Sequence, residues 1–316
     1  MLQEHRNVSP SDRRRYEEEV SIYTAARFAC LYELKTMNIL ITGANGFLGG
    51  EFARLLKNTN HTIYATTRQE LNVSDKIQVE DFFENHSIDV VLHTAFKDVR
   101  HSTDGIRENM ILNIDMHKNL AAHRSRFKLM FSFCSGAAYD RREKIENIKE
   151  KEILHRHPAD FYGMAKNIIA RHILETDDNI INLRLFGCFG PLEESSRLIK
   201  QSLRNIDEGK SPLIYQDKKM DFFYVEDILR VVMFYAQHDV RDLPKDINLC
   251  YLNKVFLSDI AREIIKLTGY SEDVIVIKND YAAPYTGSGL QLSDMGIELQ
   301  GLNAGLEDYI RSMQHV

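Results

Sequence analysis

Nothing in the 316 residues is apolar over the thickness of a bilayer, and the first residues carry no secretory hydrophobic segment. No membrane role is expected, and the cytoplasm is the expected location. Cysteine is scarce: Cys30, Cys134, Cys188 and Cys250 form no CxxC pair and have no histidine beside them at metal-ligand spacing. This argues against a disulfide framework and a thiolate zinc site, and it predicts reduced, buried thiols and no metal. Basic charge is not in surplus, with 40 Lys and Arg against 46 Asp and Glu, a net charge of −6. The short run Arg13–Arg15 is the basic cluster that stands out. Phosphate neutralisation needs a clustered cationic face, so nucleic acid is not expected as the main partner. Internal repeats and low-complexity tracts are also missing. What is present is an ordinary globular composition, 44% hydrophobic and 27% charged, on a chain long enough for a sizeable core.

Residues 1–36 read differently from the rest. Ser9 is placed to cap a helix and Pro10 to start it, and Ile22, Ala25, Ala26, Phe28, Ala29 and Tyr32 recur at helical spacing. The stretch reads either as an amphipathic extension that packs on the main domain or a partner, or as a translated leader before Met37. From Met37 onward, strand-like runs at 38–42, 62–66, 89–94, 128–134 and 179–186 alternate with helical patterns at 47–56, 76–85, 105–123 and 159–175. Such alternation predicts an α/β fold, a Rossmann-type doubly wound parallel sheet covered by helices on both faces. After residue 190 the rhythm loosens, with helices expected at 196–206, 225–238 and 258–269 and short strands at 211–215 and 246–250. The expected organisation is a dinucleotide-binding domain over 37–190 and a smaller C-terminal α/β substrate lobe over 191–316, with 225–250 returning to the first domain.

The first strand ends in Gly43, Gly46 and Gly49, and a helix follows. In that context a glycine triplet forms a tight turn, lets backbone approach a pyrophosphate, and allows close helix–strand packing. Asn45, Phe47 and Leu48, between and beside the glycines, are expected to contact the dinucleotide with them. At the end of the second strand an acidic residue selects NAD, and an arginine accommodates the extra phosphate of NADP. The chain has Thr67 and Arg68 there, which favours NADP(H) and leaves NAD(H) as the alternative. Tyr162 and Lys166 stand four apart in a helical pattern and so share one face. An adjacent ammonium moves a phenol's pKa down from about 10 toward the range where it can exchange a proton with a carbonyl. Ser135, at the carboxyl end of the fourth strand, is positioned to orient that carbonyl, while Cys134 before it is expected to point into the core.

These motifs, together with Leu183–Pro191 and Met220–Ile228, resemble the extended short-chain dehydrogenases/reductases that act on nucleotide sugars. The resemblance covers most of residues 37–316. It implies that Asn72 and Val73 meet the adenine end, that Thr94, Ala95 and Phe96 line the cofactor cleft, and that Asn113 supports the active site. It also implies a nucleotide-sugar substrate and a homodimer formed through two helices of each subunit. Within the family the chain looks most like the GDP-fucose synthase and 4-dehydrorhamnose reductase branches, which reduce a 4-keto-6-deoxy sugar with NADPH. Two departures bear on the reaction. Ala137 stands where GDP-fucose synthases carry a cysteine, and 192–205 lacks their histidine, so an epimerising acid/base pair is missing. The 4,6-dehydratases place carboxylates after the serine position, and "SGAAY" has none.

Two further departures touch the substrate. Gly187 replaces a usual asparagine, and Met220 replaces a usual arginine with Lys219 next to it. Gly187 and Lys219 are therefore expected substrate contacts beside Ser135, and 284–297, which resembles the family's sugar-lobe closing segment, adds Tyr285 and Ser288. His93 on an apolar strand reads as a satisfied core histidine, and His155 and His157 read as loop residues. The leading expectation is an NADPH-dependent 4-keto reductase of surface polysaccharide biosynthesis. An NAD-retaining 4-epimerase and a non-catalytic dinucleotide-binding regulatory or scaffold protein stay open beside it.

Overall fold

The computed structural model describes residues 35–97, 106–176, 179–278 and 280–313. The helix expected before residue 35 lies outside them. Six strands form one parallel sheet: β1 (Asn38–Thr42), β2 (Thr62–Thr66), β3 (Val90–His93), β4 (Leu129–Ser135), β6 (Ile180–Leu185) and β10 (Asp246–Leu249). Their spatial order is β10-β6-β4-β3-β1-β2. Between them run α1 (Phe47–Leu56), α2 (Lys76–Asn85), α3 (Ile106–Ala121), α4 (Phe161–Glu175) and α6 (Val225–Gln237).

Alternation along each strand produces two cores. Ile39, Ile41, Leu92, Phe131 and Phe133 face α1 and α6, where they meet Phe52, Ile228 and Val232. Leu40, Val91 and Met130 face the other way, onto Val79 and Phe83 of α2, Leu120 of α3 and Ile169 and Ile173 of α4. A strand buried on both sides has no polar face, which is why these runs read as almost continuously apolar. Chain order reverses between β1 and β3, and a doubly wound sheet opens a crevice at the carboxyl ends of its strands at such a point.

The remaining elements are smaller: β5 (Ile145–Ile148), β7 (Cys188–Phe189), α5 (Leu198–Asp207), β8 (Leu213–Gln216), β9 (Phe223–Tyr224), α7 (Leu257–Thr268), β11 (Ile275–Lys278), β12 (Tyr285–Gly287), α8 (Leu290–Asp294) and α9 (Gly301–Met313). Their strands pair as β5–β12, β7–β9 and β8–β11. Charge also holds the sheet together. Arg184 on β6 is fully buried; its Nη2 donates to both Asp246 oxygens of β10 at 2.7 and 2.8 Å, and its Nη1 to the Tyr139 hydroxyl and Asn248 Oδ1 at 2.8 and 3.0 Å. This network ties the turn after β4 to the far edge of the sheet. No described helix is long and apolar enough to cross a membrane.

Candidate active site

The glycine turn is shaped by close backbone contact at two of its three glycines. Gly43 has φ +73°, and a Cβ there would come within 2.7 Å of Ala95 Cα. A Cβ on Gly49 would lie 2.4 Å from Gly43 O and 2.6 Å from Thr94 Oγ1. Gly46 differs: its nearest neighbour, Gly43 O, would be 3.3 Å away. The protein's own packing thus demands glycine at 43 and 49 far more than at 46. The absence of a side chain at 46 instead keeps clear the space in front of α1, whose first turn has no side-chain cap. Uncapped N–H groups behind an open approach suit a pyrophosphate.

That approach opens into a cleft of about 360 Å³ lined by Gly43, Asn45 and Gly46 on one wall and by Thr94–Lys97 on the other. Its far end is closed by Thr67–Gln69, Leu71–Ser74, Leu112 and Met116. Phe47 and Leu48 lie half-buried at the start of α1. Arg68 is exposed on the rim. Glu70, the first carboxylate after β2, folds back so that its Oε2 accepts from Thr67 N at 2.8 Å, and this backbone bond lowers its pKa. Val73 is buried, and Asn72 Oδ1 accepts from Ser74 Oγ at 2.8 Å, which shapes this end of the cleft.

Phe96 is the wall shared by this cleft and the reacting centre. Its ring lies edge-to-face with Tyr162, centroids 5.4 Å apart, and the Lys166 ammonium sits 3.9 Å over it. Lys166 Nζ also donates to Phe133 O at 2.7 Å, so the cation is held between a strand carbonyl and an aromatic face. Asn113, 1% exposed, fixes the segment after Phe96 from both sides: its Oδ1 accepts from Lys97 N at 2.7 Å and its Nδ2 donates to Lys97 O at 2.9 Å.

The sequence places Tyr162 on α4 through two local devices. Asp160 caps the helix, accepting from Gly163 N at 2.9 Å. Gly163 then lets α4 press against the turn that follows β4, where a Cβ would be 2.3 Å from Ala137 O. That turn, Gly136–Ala138, carries Ser135 at its head, with Ser135 Oγ accepting from Ala137 N at 3.2 Å. Gly136 in turn leaves room for Tyr285, whose hydroxyl would be 2.8 Å from a Cβ there. Burial raises the Tyr285 pKa, and interaction with the Ser135 hydroxyl partly offsets the rise; Tyr162 and Arg141 both act on it electrostatically. Ser135, Tyr162, Lys166, Phe96 and Tyr285 therefore converge.

Several expected substrate contacts sit elsewhere. Gly187 is buried, and a Cβ would lie 2.5 Å from Asp221 O, so its glycine serves the close approach of two backbones and offers a ligand no surface. Lys219 turns its ammonium to the Phe256 ring, 5.5 Å from the centroid. The neighbouring Lys218 is the cation over Tyr285, at 5.9 Å, and burial lowers its pKa. The two neighbouring ammonium groups thus meet different rings, a distinction the dipeptide alone does not carry. Ser288 is buried, its backbone N donating to Ile148 O at 2.8 Å. Cys134 is buried. His155 pairs with Glu152 at 2.7 Å, and His157 Nδ1 lies 3.3 Å from Asn167 Oδ1. Sequence reasoning missed Arg141, which pairs with Asp160 at 2.7 Å within electrostatic reach of Tyr162; nothing local marks it.

Comparison with known proteins fits this geometry. A GDP-L-colitose synthase from Yersinia pseudotuberculosis is 22% identical over 268 residues, spanning 77% of this chain and 86% of that protein. Among solved structures, the GDP-mannoheptose C4 reductase of Campylobacter jejuni with NADP bound superposes with a TM-score of 0.72 at 20% identity, covering 88% of this chain and 98% of that one. A dTDP-4-dehydrorhamnose reductase from Clostridium acetobutylicum gives 0.69 at 22% identity, covering 88% and 100%. At such identities the superpositions speak to the fold. Residues 39–250 match a family signature over more than half of the chain, and the protein therefore belongs to the NAD dependent epimerase/dehydratase family.

Proposed function

We propose that this protein is an NADPH-dependent reductase of a nucleotide-linked 4-keto-6-deoxy sugar, serving surface polysaccharide biosynthesis. The observation that carries the reading is that Phe96, which lines the glycine cleft, packs against both Tyr162 and the Lys166 ammonium, with Ser135 brought to the same place through Tyr285. The bound dinucleotide supplies the hydride. Tyr162 gives its phenolic proton to the carbonyl oxygen, and the Lys166 ammonium stabilises the phenolate left behind. Ser135, braced by Tyr285, donates a hydrogen bond that orients the carbonyl and stabilises the developing alkoxide. Lys218, over Tyr285, is the cation best placed to meet the substrate's phosphates.

Epimerisation beside the ketone and dehydration lack their groups. Position 137 holds a buried alanine, so the turn beneath the serine offers no acid or base for epimerisation beside the ketone. The two carboxylates flanking the centre are engaged, Asp160 by Gly163 N and Arg141, and Asp140 by Arg142. Neither is placed to run a dehydration. Arg68 on the rim, with Glu70 folded onto its own turn, supports NADPH over NADH.

A panel of GDP-, dTDP-, CDP- and UDP-linked 4-keto-6-deoxy sugars, followed by NADPH absorbance and product stereochemistry, tests the assignment. One alcohol formed per NADPH oxidised is expected. Interconversion of hydroxyl epimers without net NADPH loss would identify a 4-epimerase, and no turnover with any member would leave a binding protein.

A further inference from the structure

Between the sheet and helices α3 and α4 runs a buried polar seam that the reduction, as described, leaves without a role. It begins at the Lys166 ammonium on Phe133 O. Beside it His93 ends β3, in register with Ser132 of β4, its Nδ1 2.9 Å from Thr42 Oγ1. Leu92 and Phe133 point into the α1–α6 core, so strand alternation sends His93, Ser132 and Thr42 toward α3 and α4. One turn along α3 from Asn113 is His117, 1% exposed. Its Nε2 lies 3.3 Å from Nδ1 of His172 on α4, which is itself half-buried. The other ring nitrogen, His117 Nδ1, is buried with no hydrogen-bond partner among the described residues.

A packed helix interface has no need of an imidazole, and an unbonded buried nitrogen there costs stability that an apolar side chain would not. The charged and titratable groups that act on His117 are His93, His172, Lys166 and Lys118. Burial first, followed by these neighbours for His117 and by Lys166 for His93, lowers the pKa of each to about 3, so both rings are neutral near pH 7. A neutral imidazole can accept a proton on one nitrogen while releasing one from the other.

We propose that His172 and His117 form a proton inlet leading from the α3–α4 surface to Lys166. The proposal rests on the reductase reading. Each reduction removes one proton from Tyr162, and the product hydroxyl keeps it. Lys166 returns a proton to the phenolate and is recharged through a water bound at His117 Nδ1. His117 takes its replacement from His172, which takes one from solvent. The transfers run in concert, so no buried imidazolium accumulates; each passage leaves both rings in the other tautomer, and a half-turn of each ring restores the first before the next passage. One proton enters per alcohol formed, and no electrons follow this route. Both histidines act through Lys166 and touch neither substrate nor cofactor.

The test compares wild type with His117→Phe and His172→Leu by rapid mixing in weak buffer, a pH indicator reporting proton uptake and absorbance reporting NADPH. In wild type the two signals should coincide. In the variants, uptake should lag at least tenfold while NADPH affinity holds. If His117→Phe does not fold, His172→Leu at the outer end carries the test. A second readout uses the ligand-free chain: exchange of the His117 ring N–H with water, followed by NMR, should slow about tenfold in His172→Leu. Uptake that stays in step in a folded variant, or ring exchange that does not change, overturns the inlet. A wild type that consumes no NADPH with any sugar of the panel defeats the reductase reading instead, and the ring exchange still decides the inlet.

Discussion

Two side chains carry separable parts of the assignment. Tyr162→Phe keeps the ring beside Phe96 and removes the transferable proton, so kcat should fall by about 10²–10⁴-fold with little change in NADPH affinity, as steady-state kinetics and fluorescence titration will read. A matched loss of affinity would instead make Tyr162 a packing residue. Arg68 is exposed and packs against little, so Arg68→Ala should leave folding intact. Its effect should appear as a narrowing of the NADPH-over-NADH preference by about tenfold, equivalent to about 1.4 kcal/mol. An unchanged ratio of kcat/KM for the two cofactors would remove Arg68 from cofactor selection.

At the scale of elements, α3 does more than cover the sheet, because Asn113 holds the segment that carries Phe96 into both the cleft and the reacting centre. Asn113→Ala leaves the Lys97 N–H and carbonyl without that partner and should cost about 1–3 kcal/mol. It should lower kcat more than it weakens NADPH binding, and a thermal melt with cofactor titration separates the two effects. Elements whose causes lie within a few residues of sequence were legible beforehand. β1, β2, α1 and α2 end where the apolar period ends, and the glycine turn announces itself by spacing. Elements with distant causes were not legible. The N-terminus of α9 is capped by Asp227, whose carboxylate accepts from Gln300 N and Gly301 N at 2.8 and 3.0 Å across 73 and 74 residues. The strands β5, β7, β9, β11 and β12 run from two to four residues each and pair only with partners far along the chain. The candidate site divides the same way: Ser135, Tyr162 and Lys166 were readable from spacing, and Tyr285 from a resemblance, whereas the packing of Tyr285 under Ser135 and of Lys218, not Lys219, over Tyr285 depends on contacts between distant segments.

Across the whole molecule, two buried carboxylates meet at the Gly190–Pro191 bend. Glu193, 2% exposed, follows the Gly190–Pro191 bend and accepts from Lys200 N at 3.1 Å, with Arg197 Nε 3.4 Å away. Burial, outweighing these partners, pushes its pKa from 4.5 up to about 7. The folded protein therefore holds a proton there that the unfolded chain has lost between about pH 4.5 and 7. This site's contribution to stability falls as pH rises through that window and is flat above it, by a total of about 3 kcal/mol. Glu193→Gln should remove that slope, so the difference in Tm between variant and wild type should grow from pH 5 to pH 7 and then level off. A difference independent of pH would mean that the carboxyl titrates normally. Glu51 on α1, fully buried, reaches the same bend from the other side: its Oε1 accepts from Leu192 N at 2.6 Å and its Oε2 from Arg54 Nε at 2.9 Å. That side chain fastens α1, the helix behind the glycine turn, to the bend at Leu192. Filling the glycine-lined cleft with dinucleotide should then slow amide exchange over residues 188–193 before any sugar nucleotide is added, and Glu51→Gln should abolish that slowing. On the reductase reading, this link predicts that dinucleotide adds before sugar nucleotide, which product-inhibition patterns would display.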